Sequence, residues 1–232
     1  MNTLTLTTLI ITIALSLLFI VVRILKGGLI AFLLKTLASF SLVASTFLLT
    51  ALTESDYQLV IALIGIGLLC GMIGDMVLDL KVIYDNDKVY LNSGMLSFGL
   101  GHIVYFIALT LHAQDLGIDL LIPLLVSVGG AVLLTAGTIL SSKTMKLDFG
   151  KFLWQTIGYS FALTFMAVYS LMLAINGGIW LLFVGFVLFF LSDIVLSFQY
   201  FGGKITSKPL IAINHILYYG AQIIIFASMF LI

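Results

Sequence analysis

Charge is what this chain has least of. Asp, Glu, Lys and Arg make up 9% of its 232 residues and apolar residues 62%, where a soluble domain carries roughly 25% and about 45–50%. A surface this poor in charge cannot be held in water, which excludes soluble, disordered and fibrous chains. Ten basic residues are balanced by ten acidic ones, so no basic excess points to nucleic acid. The single cysteine, Cys70, lies in an apolar run and excludes a disulfide framework or a thiolate zinc site. Two prolines leave almost nothing to break long helices. What remains is a mean hydropathy of +1.28. The class is an all-α, polytopic membrane protein.

A spanning helix needs about 20 mostly apolar residues. Eight such segments can be cut, at residues 4–22, 29–50, 58–80, 91–112, 119–141, 152–175, 178–201 and 209–231. The connections are short, so residues 1–232 read as a single transmembrane domain. No Lys or Arg precedes the first span, which argues against a cleaved signal peptide. Arg23 and Lys26 follow span one, Lys81 and Lys88 span three, Lys143, Lys146 and Lys151 span five, and Lys204 and Lys208 span seven. The even loops hold Glu54, Asp56, Asp115 and Asp119 but no basic residue. The positive-inside rule then makes the odd loops cytoplasmic and both termini extracytoplasmic. Lys35, inside span two, is the exception.

A charge at mid-bilayer costs at least about 2.5–3.5 kcal/mol on insertion scales, so each one is a functional hypothesis. The residues concerned are Lys35, Asp75, Asp79, His102, Asp193 and His215, with Tyr105, Tyr218, Tyr219 and Gln222 as polar company. Counted from the span ends, Lys35, Asp75, Asp193 and His102 occupy overlapping levels in the cytoplasmic half. That suits a cavity entered from the inner leaflet. Asp75 and Asp79 are i,i+4 neighbours on one helix face. His215, Tyr218 and Gln222 form a polar stripe on the last span. Plainer readings stand beside these. Asp79, close to Lys81 at the membrane edge, reads as a solvated interfacial charge, and His215 as interfacial. Lys35 could simply neutralise a carboxylate, and Gly65, Gly67, Gly71 and Gly74 read as close helix packing.

Span three contains Gly74-Asp75-Met76-Val77-Leu78 and span seven Ser192-Asp193-Ile194-Val195-Leu196, half a chain apart and in the same orientation. This echo would make two four-helix parallel repeats, with the two aspartates face to face.

Four blocks now stand in order: Gly74-Asp75 with Leu78, Phe98-x-x-Gly101-His102-x-x-Tyr105, Gly185-x-x-x-Phe189-x-x-Ser192-Asp193, and Tyr218-Tyr219-x-x-Gln222. In order and spacing the chain resembles the YhhN-like family of integral membrane proteins, which contains the animal lysoplasmalogenases. The lysine of span two fits too, although Thr36 follows it where the family has proline. Asp79 matches no acidic position of the family pattern. The resemblance runs from about Lys35 to Gln222. It implies an eight-span ether hydrolase of a bacterial cell membrane that opens the vinyl ether of a lysoplasmalogen. The products would be a fatty aldehyde and a glycerophospho-ethanolamine or -choline.

Vinyl ethers are opened by protonating the β-carbon. Water captures the resulting oxocarbenium ion, and the hemiacetal collapses to aldehyde and alcohol. The chemistry needs one carboxyl group carrying a proton and one anion beside the developing cation, as in glycoside hydrolysis. Asp75 and Asp193 are the candidates, with His102 as a third catalytic residue that shuttles a proton or positions water. Lys35, Tyr105, Tyr218, Tyr219, Gln222 and Ser192 would bind substrate. No Gly-x-Ser-x-Gly elbow and no His-x-x-x-His spacing occurs, so neither a serine triad nor a metal is expected, and no cofactor. The expected partners are a lysophospholipid substrate and membrane lipids, with no nucleic acid; the sequence leaves the oligomeric state open. A proton-coupled transporter or lipid flippase would use the same buried aspartates. A purely structural scaffold would leave the buried charges unexplained.

Overall fold

The computed structural model describes residues 3–53, 57–83 and 87–230. Glu54, Asp56 and the side chains of Lys81 and Lys88 lie outside this set. Eight α-helices run through the described residues: α1 Thr3–Leu25, α2 Gly28–Leu52, α3 Gln58–Ile83, α4 Asp87–Asp115, α5 Leu121–Ser141, α6 Leu153–Gly177, α7 Trp180–Tyr200 and α8 Lys208–Ser228. A short 3₁₀ turn, Gly150–Phe152, precedes α6. Each helix coincides with one of the eight expected spans, and all eight are long and apolar enough to cross a membrane. Both prolines fall in a first helical turn, Pro123 in α5 and Pro209 in α8. There the backbone N–H has no helical acceptor, so proline removes nothing. Large apolar side chains face outward along the helices, with Leu25, Leu133 and Leu140 70%, 74% and 79% exposed. That is the arrangement a hydrocarbon solvent requires.

The helices group into two compact units, residues 1–112 with 226–232, and residues 113–225. In the first, α2 packs against both α1 and α3. Thr12 and Ser41 share a hydroxyl–hydroxyl hydrogen bond of 2.7 Å between α1 and α2. In the second, α6 packs against α5 and α7, and Thr135 and Thr164 pair at 3.1 Å between α5 and α6. Lipid tails are as apolar as leucine, so helices associate through close packing and such polar pairs.

Glycine packing positions α4 on α3. A Cβ on Gly67 would meet the Tyr105 ring at 2.3 Å, and one on Gly101 would stand 3.1 Å from the Gly67 carbonyl oxygen. Ser97 also donates to the Cys70 carbonyl at 2.7 Å. This close approach sets the height of His102 and Tyr105. Gly67→Ala should therefore displace Tyr105 and cost about 1–3 kcal/mol, the usual range for overpacking. Thermal unfolding in detergent checks this, and an unchanged midpoint would mean that the ring moves aside freely.

Candidate functional site

The first unit carries a buried charge cluster built by an antiparallel hairpin. Lys35 and Ser39 are one helical turn apart on α2, and Asp75 and Asp79 one turn apart on α3, so each pair shares a face. Ser39 Oγ donates to Asp75 Oδ2 at 2.9 Å. Lys35 Nζ lies 3.0 Å from Asp75 Oδ1 and 3.3 Å from Asp79 Oδ1. Arg23, in the last turn of α1, completes the set by pairing with Asp79. Its guanidinium also rests over the Phe19 ring at 5.5 Å. Lys35, Asp75 and Asp79 are 5%, 2% and 5% exposed. Two cations thus face two carboxylates away from water. Such a cluster is costly to break, because removing one member leaves a buried charge without its partner.

Asp79, expected to be a solvated charge at the membrane edge, is instead a buried member of the cluster, held by Arg23 and Lys35. Arg23, read as a loop charge, belongs to α1 and turns inward.

His102 and Tyr105 stand on α4, both 2% exposed. A carbonyl oxygen can only accept, so the 2.8 Å contact of His102 Nδ1 with Phe98 O places a proton on Nδ1. In the neutral ring Nε2 is then the acceptor. The two rings meet edge to face, 6.0 Å between centroids.

The second unit builds a different environment. Asp193, on α7, is partly exposed and accepts a hydrogen bond from the Tyr159 hydroxyl of α6. Ser192 is fully buried, and its hydroxyl donates to Phe189 O of its own helix at 2.7 Å. Its carbonyl accepts from Asn214 Nδ2 of α8 at 2.8 Å. Further along α8, Tyr218 meets Phe189 edge-on at 5.5 Å and Tyr219 at 5.2 Å. Tyr218, Tyr219, Gln222 and His215 are all buried. Gln222 Oε1 has no hydrogen-bond partner among the described residues, an arrangement that native interiors rarely tolerate without a reason. The same residues contain no cluster of three or more His, Cys, Asp or Glu side chains that could hold a metal ion.

The sequence profile of the YhhN family matches residues 30–229. The chain belongs to the YhhN family. No curated protein and no solved structure matches it. The family region contains every site residue expected from the sequence, from Lys35 to Gln222. It begins after Arg23, so α1 supplies this YhhN protein with an ion-pair partner from outside the matched region.

Four contributors were not among the residues expected from the sequence. Ser39 had a signal, since it follows Lys35 at i+4 on the same helix face. Arg23 had one as well, being a guanidinium at a helix end. Tyr159 and Asn214 had none beyond being polar in apolar helices.

Proposed function

We propose that this YhhN protein is a membrane hydrolase of the lysoplasmalogenase type, cleaving the vinyl ether of a lysophospholipid to a fatty aldehyde and a glycerophospho-alcohol. The observation that carries the reading is Asp75, a carboxylate 2% exposed within an apolar helix and held by Lys35 and Ser39. A negative charge fixed by donors before substrate arrives is suited to face an oxocarbenium ion. Asp75 takes that role, and Asp193 delivers the proton to the β-carbon. Tyr159 donates to one Asp193 oxygen and so orients the other. His102, whose Nδ1–H is committed to Phe98 O, shuttles a proton or positions water. Gln222 offers the buried Oε1 to a donor on the substrate or water, and Tyr105, Tyr218 and Tyr219 remain the other expected substrate-binding residues.

One expected role is narrowed in this scheme and one changes. Of its two expected roles, neutralising a carboxylate and binding substrate, Lys35 takes the first, since it is engaged by two carboxylates. The Ser192 hydroxyl is engaged by its own helix, so its part is to anchor α8 through Asn214.

The test is incubation of purified protein with a lysolipid panel, with mass spectrometry of released aldehyde. Release from 1-alkenyl but not 1-acyl or 1-alkyl lysolipids is expected. If none is released while protons or lipid move across vesicles containing the protein, Asp75 and Asp193 serve transport instead.

A further inference from the structure

The second unit carries a folded basic cap. Two connections, residues 142–152 after α5 and 201–207 after α7, meet at one end of it. Asp148 N–H donates to Phe201 O at 2.9 Å. The Phe201 ring meets Phe149 edge-on at 4.9 Å and Phe152 at 6.2 Å. Phe149 is 8% exposed, so these rings form a small apolar core that fixes both loops. Lys143, Lys146, Lys151, Lys204 and Lys208 all stand exposed on this cap. Asp148 is the one acidic residue in either segment. Lys151 and Lys204 rest their ammonium groups 5.2 Å and 5.8 Å from the Phe152 and Phe198 ring centres.

The backbone at Lys146 is a second, independent observation. Its φ of +57° makes it the only non-glycine residue with positive φ among the described residues. Lys146 N–H donates to Lys143 O at 3.2 Å and Leu147 N–H to Ser142 O at 2.8 Å. The same pair of bonds closes α4, from Gly117 N–H to Gln114 O and from Ile118 N–H to Ala113 O, both 2.9 Å. There the left-handed position is a glycine, Gly117, with φ +68°. Glycine is the usual residue at this position because a Cβ clashes there. After α5 the sterics ask for glycine and the chain supplies a lysine. Its side chain is exposed, so packing does not account for it. A strained position of this kind points to use of the group it carries.

We propose that this cap is a binding surface for the headgroups of anionic phospholipids. The lysine ammonium is a compact donor suited to phosphate oxygens. The rigid loops present these donors with little ordering left to lose on binding. Trp154 and Met145, 79% and 45% exposed, stand beside the lysines and can enter the acyl region below the headgroups. Loop lysines also direct membrane insertion, but that role ends once the protein is inserted and needs neither a rigid cap nor a strained residue. The inference is independent of the hydrolase reading.

The experiment uses the full chain purified in neutral detergent, with phosphatidylglycerol or phosphatidylcholine added, and native mass spectrometry to count retained lipid. Phosphatidylglycerol should be retained over phosphatidylcholine, and the preference should vanish near 1 M salt, where the screening length falls to about 3 Å. Lys146→Gly should weaken phosphatidylglycerol retention about fivefold, the effect of one lysine at an anionic surface. Its melting temperature without lipid should be equal to or above that of the parent. Lys204→Gln should weaken retention similarly with no change in melting. Equal retention of the two lipids, or a preference that survives high salt, would overturn the proposal. So would a Lys146→Gly variant that binds like the parent or melts below it.

Discussion

Replacing either Asp75 or Asp193 by asparagine should lower aldehyde release about 10²–10⁴-fold, the range associated with a positioned acid or base, while the protein stays folded. The structure explains why the fold should survive. When Asp75 loses its charge, Lys35 still has Asp79 at 3.3 Å, shared with Arg23, so the variant loses some stability but Lys35 keeps a counter-charge. An amide oxygen at position 193 can still accept from the Tyr159 hydroxyl. If the two carboxyls act as one unit, as anion and proton donor, the double variant should be little worse than either single one. Activity against pH should be bell-shaped, with two limbs that belong to the pair rather than to either residue. Near-normal turnover in a folded single variant would remove the acid–anion mechanism.

The second large effect concerns stability. Lys35→Met should destabilise the protein by about 3–5 kcal/mol, the cost of breaking a buried ion pair from one side. Asp79 keeps Arg23 in that variant, but Asp75 loses the cation at 3.0 Å. The loss should be largely recovered in Lys35→Met with Asp75→Asn, since both members of the pair are then neutral. Denaturation in detergent or bicelles reads both values. A Lys35→Met protein as stable as its parent would show that the lysine contributes nothing to the fold. Asp79→Asn belongs in the same series: it removes the carboxylate from between Arg23 and Lys35, and should also lower stability.

Why Asp79 was misread is a matter of what a linear window contains. Near the end of an apolar run, two residues before Lys81, it looks like a charge that reaches water. Its burial is decided by Arg23 and Lys35, which lie on two other helices. By contrast, the eight spans and the shared face of Asp75 and Asp79 are periodic properties of single segments, and both were legible. Close packing through glycine was legible as well, although at Gly67 it is the Tyr105 ring that fills the space. Tyr159 was out of reach, because a single tyrosine in an apolar helix carries no spacing signal. Ser192 adjoins Asp193 in the family pattern, yet its hydroxyl turns back to its own helix, which only the rotamer reveals.

The hairpin that joins Lys35 to its carboxylates also bears on how the protein is made. Lys35 leaves the ribosome 44 residues ahead of Asp79, a gap of about 2–9 s at ordinary synthesis rates. During that interval α2 holds an ammonium with no counter-charge, which disfavours its entry into lipid by itself. The expected course is that α2 waits at the translocon or the interface until α3 emerges, and the two cross together with the ion pair formed. A chain truncated between the two helices should then leave α2 poorly inserted, and Lys35→Met should release it to insert early.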